Sequence, residues 1–110
     1  MENIFDELDR IVSGRDDSTF AKELEKLISG NINTDLWRDG EFRKKLDDAE
    51  AGTVIKVRTD NNWHMQFEVY KKGEDGKWSK QLLTEGYETS KPSYATPSDI
   101  WNSLHSGKAI

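Results

Sequence analysis

Residues 52–70, GTVIKVRTDNNWHMQFEVY, decide how this chain folds. Before Gly52 the apolar side chains recur every three or four residues, and after it every second residue; the first period is that of a helix and the second that of a strand. Thr53, Ile55 and Val57 alternate with polar or smaller neighbours. Asp60-Asn61-Asn62 then supplies turn residues, whose short side chains bond to nearby backbone. Trp63, Met65, Phe67 and Val69 alternate strictly with His64, Gln66, Glu68 and Tyr70. This predicts a strand with Trp63, Met65 and Phe67 on its buried face. Gly73-Glu74-Asp75-Gly76 makes the next turn, and Trp78, Lys80 and Leu82 continue a third strand. Residues 90–95, which hold Pro92, read as an edge strand or a loop.

Upstream, Ile4, Phe5, Leu8, Ile11 and Val12 form one helical stripe, closed by Gly14. Phe20, Ala21, Leu24, Leu27 and Ile28 form a second, opened near Asp17-Ser18 and closed by Gly30. The short link between them predicts an antiparallel helix pair. Residues 31–52 are less regular. Asn33-Thr34 caps a turn carrying Leu36 and Trp37, and Asp39 caps a helix through Glu50 with Phe42, Leu46 and Ala49 inward. One kinked helix or two short ones fit residues 34–50 equally. Downstream, Thr96-Pro97-Ser98-Asp99 places a hydroxyl at the N-cap, a proline at N1 and an acid at N3. A short helix follows, with Ile100, Trp101 and Leu104 inward and Gly107 past its end. The expectation is a single α+β domain over residues 1–110, helical in 1–52 and a β-meander plus C-terminal helix in 53–110. Two or three N-terminal helices pack on one face of a three- to four-stranded antiparallel sheet.

Charge divides along the same boundary. Residues 1–50 carry 14 Asp/Glu against 8 Lys/Arg, residues 51–110 carry 7 against 8, and the whole chain stands at −5. With four Trp, four Phe, three Tyr and two Met, large rings must supply much of the core. Cysteine is absent, which excludes disulfides and thiolate metal sites. The first residues, Met1 to Glu7, lack the basic and apolar regions of a signal peptide, and apolar runs stop at two residues. A cytoplasmic protein is expected.

Catalytic groups are sparse. The two histidines, His64 and His105, fall on a strand's polar face and in a helix's last turn, where a cation suits the dipole. No G-x-S-x-G, S-x-x-K or P-loop pattern accompanies the serines and threonines. Asp16-Asp17, Asp47-Asp48 and Glu74-Asp75 are adjacent acids, whereas a calcium loop needs acids at alternate positions. The sequence therefore predicts a non-catalytic protein without cofactor or metal. Two surfaces remain as binding candidates. One is the acidic face of the first two helices, with Asp6, Asp9, Asp16, Asp17 and Glu23 as partner-binding residues, since a patch of single sign steers a basic partner. The other is a basic stretch of the meander, Lys56, Arg58, Lys71, Lys72, Lys77 and Lys80, interleaved with Glu68, Glu74 and Asp75. The net charge argues against nucleic acid.

The second half resembles small proteins of phages and mobile elements. The residues that carry the resemblance are Ala49-x-x-Gly52-Thr53 at a helix end, Gly76-Lys77-Trp78 in the meander, and the capped helix from Pro97 to Leu104. Small size and acidity are also shared with phage anti-defence inhibitors such as anti-CRISPR proteins, a similarity of class that transfers no site residues. It implies a phage- or plasmid-borne inhibitor of a basic, nucleic-acid-handling host protein. An immunity protein neutralising a toxin, and a nucleic-acid-contacting accessory protein using the basic meander, are the alternatives.

Overall fold

A computed structural model of the chain describes residues 4–11, 18–29, 40–60 and 63–110. Helices α1 (Ile4–Ile11), α2 (Ser18–Ser29) and α3 (Glu41–Asp48) precede strands β1 (Val54–Arg58), β2 (Gln66–Lys72), β3 (Trp78–Thr84) and β4 (Ser93–Ala95). Helix α4 (Pro97–Ser106) and strand β5 (Lys108–Ala109) follow. The strands form one antiparallel sheet in the order β4-β3-β2-β1-β5. The fold is α+β, with helices before a meander and a short helix after it.

The pairing register sorts the sheet's side chains. Ile55 lies opposite Tyr70 and Val57 opposite Glu68, while Phe67 lies between Arg58 and Leu83. Directly opposed residues share a face. One face, with Ile55, Val57, Tyr70 and Trp78, packs under α2, α3 and α4 through Leu24, Phe42, Leu46 and Trp101. The other, with Val54, Phe67, Val69 and Leu83, packs under Ile4 and Leu8 of α1. Both faces therefore bury apolar side chains, where one buried face is the sequence expectation. The reason lies in the strands: β1 reads Val54-Ile55-Lys56-Val57 and β2 carries Phe67 and Val69 against Tyr70, so apolar groups point both ways. Helices α1 and α2 consequently do not form the expected pair; they lie on opposite sides of the sheet.

Strand β2 is shorter than its alternation suggests. Thr59 donates its backbone N–H to Gln66 O at 2.8 Å, and the Gln66 N–H reaches an Asp60 carboxylate oxygen at 3.3 Å. Pairing thus begins at Gln66, and Trp63 and His64 belong to the connection. Phe67 is fully buried and Met65 half-buried, but Trp63 is 84% exposed. Trp63 is not a core residue.

Helix α3 ends at Asp48 rather than Glu50, and its N-cap, Gly40, makes no side-chain cap. Asp39 and the expected turn at Asn33–Trp37 lie outside the described residues. What holds the C-terminal end of α3 is Lys72. Its Nζ donates to Leu46 O at 2.6 Å and Asp47 O at 3.2 Å, and Trp78 Nε1 donates to Leu46 O at 3.2 Å. A cation at carbonyls without helical partners also suits the helix dipole. Helix α4 starts as its sequence dictates: the Asp99 N–H reaches Thr96 Oγ1 at 3.2 Å, and the Thr96 N–H reaches Asp99 Oδ2 at 2.9 Å. Among the described residues no helix is long and apolar enough to cross a membrane.

Candidate interaction surface

The acidic face expected on the first two helices is not one surface. Asp6 is exposed on α1 and Glu23 is exposed on α2, but the sheet stands between those helices. Asp9 lies within α1, and Asp16 and Asp17 fall outside the described residues. Neighbouring acids on the same helices do structural work. Glu7 accepts from Thr89 Oγ1 at 3.3 Å, tying α1 to the β3–β4 connection. Glu25 accepts the Ala109 N–H at 2.7 Å, tying α2 to β5. Glu23 itself pairs with Lys45 of α3 at 3.0 Å.

The basic meander is dispersed as well. Lys56 and Arg58 alternate onto the α1 face, and Lys72 and Lys80 onto the opposite one. Lys56 and Lys72 are buried. Lys80 pairs with Glu68 at 2.9 Å, and Arg58 Nε pairs with Asp60 at 3.0 Å. That pair shifts both partners: the hydrogen bond from Arg58 holds the Asp60 carboxyl below its ordinary range, helped by the Gln66 N–H, and Asp60 in turn raises the guanidinium. Four of the six cations are thus buried or bonded within the fold. An open groove of about 410 Å³ between α2 and α3 is lined by Phe20, Glu41, Lys44, Lys45, Asp48 and Ala49. Two acids and two lysines give it no single-sign preference.

Exposed aromatic side chains stand at one end of the sheet. β1 and β3 finish, and β2 begins, at one end of the sheet, and there Trp63 is 84% and Tyr87 61% exposed. Tyr87 is held in place. Its N–H donates to Thr84 O at 3.1 Å, and its ring meets His64 edge-on at 4.9 Å with the hydroxyl 3.2 Å from Nε2. The turn that presents it passes through Gly86 at φ +82°, a left-handed conformation that favours glycine. Phe5 of α1, 41% exposed, stands edge-on to Phe67 at 5.4 Å, one residue from the same end. Exposed carboxylates lie close to them in the chain: Glu88 follows Tyr87, Glu85 precedes it by two residues, and Asp6 follows Phe5.

Two signals for this surface stand in the sequence. Trp63 directly follows the Asp60-Asn61-Asn62 turn, and Glu85-Gly86-Tyr87-Glu88 sets an aromatic among acids around a turn glycine. Among the described residues no group of three or more His, Cys, Asp or Glu is placed to hold a metal ion. Fold and surface together define an α+β domain with helices on both sides of a five-stranded antiparallel sheet and exposed aromatic side chains at one sheet end. No family model, curated protein or solved structure matches the chain.

Proposed function

We propose that this is a non-catalytic acidic binding protein that docks on a basic protein, and that it acts as a phage- or plasmid-encoded inhibitor of a nucleic-acid-handling host protein. The observation that carries the reading is the balance of charge. The chain stands at −5, carboxylates such as Asp6, Glu41, Asp48, Glu85 and Glu88 are exposed, and four of the six cations of the meander, Lys56, Arg58, Lys72 and Lys80, are buried or bonded inside the fold. A surface of that kind raises the association rate with basic partners and repels phosphate.

The test is affinity capture on immobilised protein from nuclease-treated bacterial lysate, with mass spectrometry of what is retained. The expected outcome is a small set of basic proteins, retained at about 0.05 M salt and released by about 0.5 M, because exposed charges are screened over a few ångströms at the higher concentration. A gel shift of single- or double-stranded DNA or RNA by the chain alone at low salt would instead select the nucleic-acid reading. Retention that is indifferent to salt overturns the electrostatic one.

A further inference from the structure

We infer that the exposed aromatic end of the sheet is a docking site for an arginine-bearing segment of the partner. The inference rests on the basic-partner reading above and gives it a place. Trp63 and Tyr87 present 84% and 61% of their surface to solvent. Aromatic side chains in that state carry large apolar area at low conformational cost, and they dominate the energetics of interfaces. Tyr87 is already fixed by its turn and by His64, and Phe5 by Phe67, so little ordering of these two rings remains to be done on binding.

The charges around these rings choose the partner's chemistry. Glu88 follows Tyr87 in the chain, Glu85 precedes it by two residues, and Asp6 follows Phe5, all three exposed. Exposed rings with exposed carboxylates beside them in the chain suit a group that is flat, cationic and rich in N–H donors. The arginine guanidinium stacks on an aromatic face and forks onto a carboxylate, whereas the lysine ammonium is a compact, strongly hydrated point charge. The occupant is therefore arginine in a protein segment. A nucleic-acid base would also stack on Trp63, but the net charge of −5 repels its phosphates.

The test is isothermal titration calorimetry of the full chain at about 0.05 M salt with two probes, an octa-arginine and an octa-lysine peptide. Octa-arginine is expected to bind more tightly than octa-lysine. Trp63→Ala should weaken octa-arginine binding by about fivefold or more, the effect of losing one stacked guanidinium, while changing octa-lysine by less than about twofold. Trp63→Tyr, which keeps a π face, should recover most of the loss, and Glu85→Gln with Glu88→Gln should weaken both peptides. Far-ultraviolet circular dichroism checks that each variant is folded. Equal affinity for the two peptides, or indifference to Trp63→Ala, overturns the site while leaving the basic-partner reading standing on another surface. No binding of either peptide also overturns the site, and the salt-dependent capture experiment then decides the broader reading by itself.

Discussion

Lys72 places its ammonium 2.6 Å from Leu46 O and 3.2 Å from Asp47 O, with its charge 5.4 Å from the Trp78 ring, and it is only 5% exposed. Hydrogen bonds from a charged donor contribute about 1.5–3 kcal/mol each, more than neutral ones, and here they join strand β2 to the end of α3. Lys72→Met keeps most of the stem's volume and removes the donors, leaving the Trp78 indole as the partner of Leu46 O. The expected loss is about 1–3 kcal/mol in urea unfolding. The exposed neighbour Lys71→Met should change stability by no more than about 0.5 kcal/mol. Equal effects at the two positions would show that Lys72 is not holding the helix. In the sequence the two lysines are alike. Period 2 puts them on opposite faces, but no local pattern reveals which face a helix end will cover at that row. The same holds for Trp63, which is indistinguishable from Phe67 until the first β1–β2 pair is located.

Elements were legible where their signals are local. Helix α4 is capped by Thr96 with both hydrogen bonds that its four-residue signature predicts, and Phe42 and Leu46 of α3 are 2% and 0% exposed as their spacing requires. Strand β5 was not legible, because two residues have no period. It exists because Gly107 lets the chain turn close beside β1. A Cβ there would lie 2.6 Å from Arg58 O, 2.6 Å from Thr59 Cγ2 and 2.7 Å from Val57 Cγ1. These contacts involve backbone and branched groups that cannot simply swing away. Gly107→Ala should therefore cost about 1–3 kcal/mol through overpacking. The Ala109 and Ile110 amides, bonded to Glu25 and to Lys56 O, should lose hydrogen-exchange protection. Unchanged protection at those amides would mean that β5 accommodates the methyl group.

At the scale of the whole molecule the two faces of the sheet are unequally secured. One is shared by α2, α3 and α4, and the other is covered through Ile4 and Leu8 of the eight-residue α1. Stability in such a domain is not uniform, and the element with the fewest buried contacts opens first. The α1 amides should exchange at least about tenfold faster than those of α2, by an opening that leaves the sheet intact. Equal rates, tracking global unfolding, would show that the two faces form one cooperative unit. The charge asymmetry was plain in the sequence, but its distribution was not. Placing α1 and α2 on opposite faces is a tertiary choice, made by Val54 and Ile55 pointing in opposite directions, and it separates Asp6 from Glu23. The aromatic sheet end is not legible because the alternation of β2 runs on, without a break in the sequence, into the connection that precedes the strand.

The outer strands of the sheet are brief: β4 spans three residues and β5 two. A long bare edge is a template on which another molecule can add its own strand. Strand β1, Val54-Ile55-Lys56-Val57-Arg58, has the β-branched content that favours such addition, and β5 occupies its outer side at Val57 and Arg58 while Ile110 bonds to Lys56 O. The short return after Gly107 thus serves as a stopper against polymerisation: it lets a sticky strand sit next to the margin of the sheet without propagating from one copy of the protein to the next.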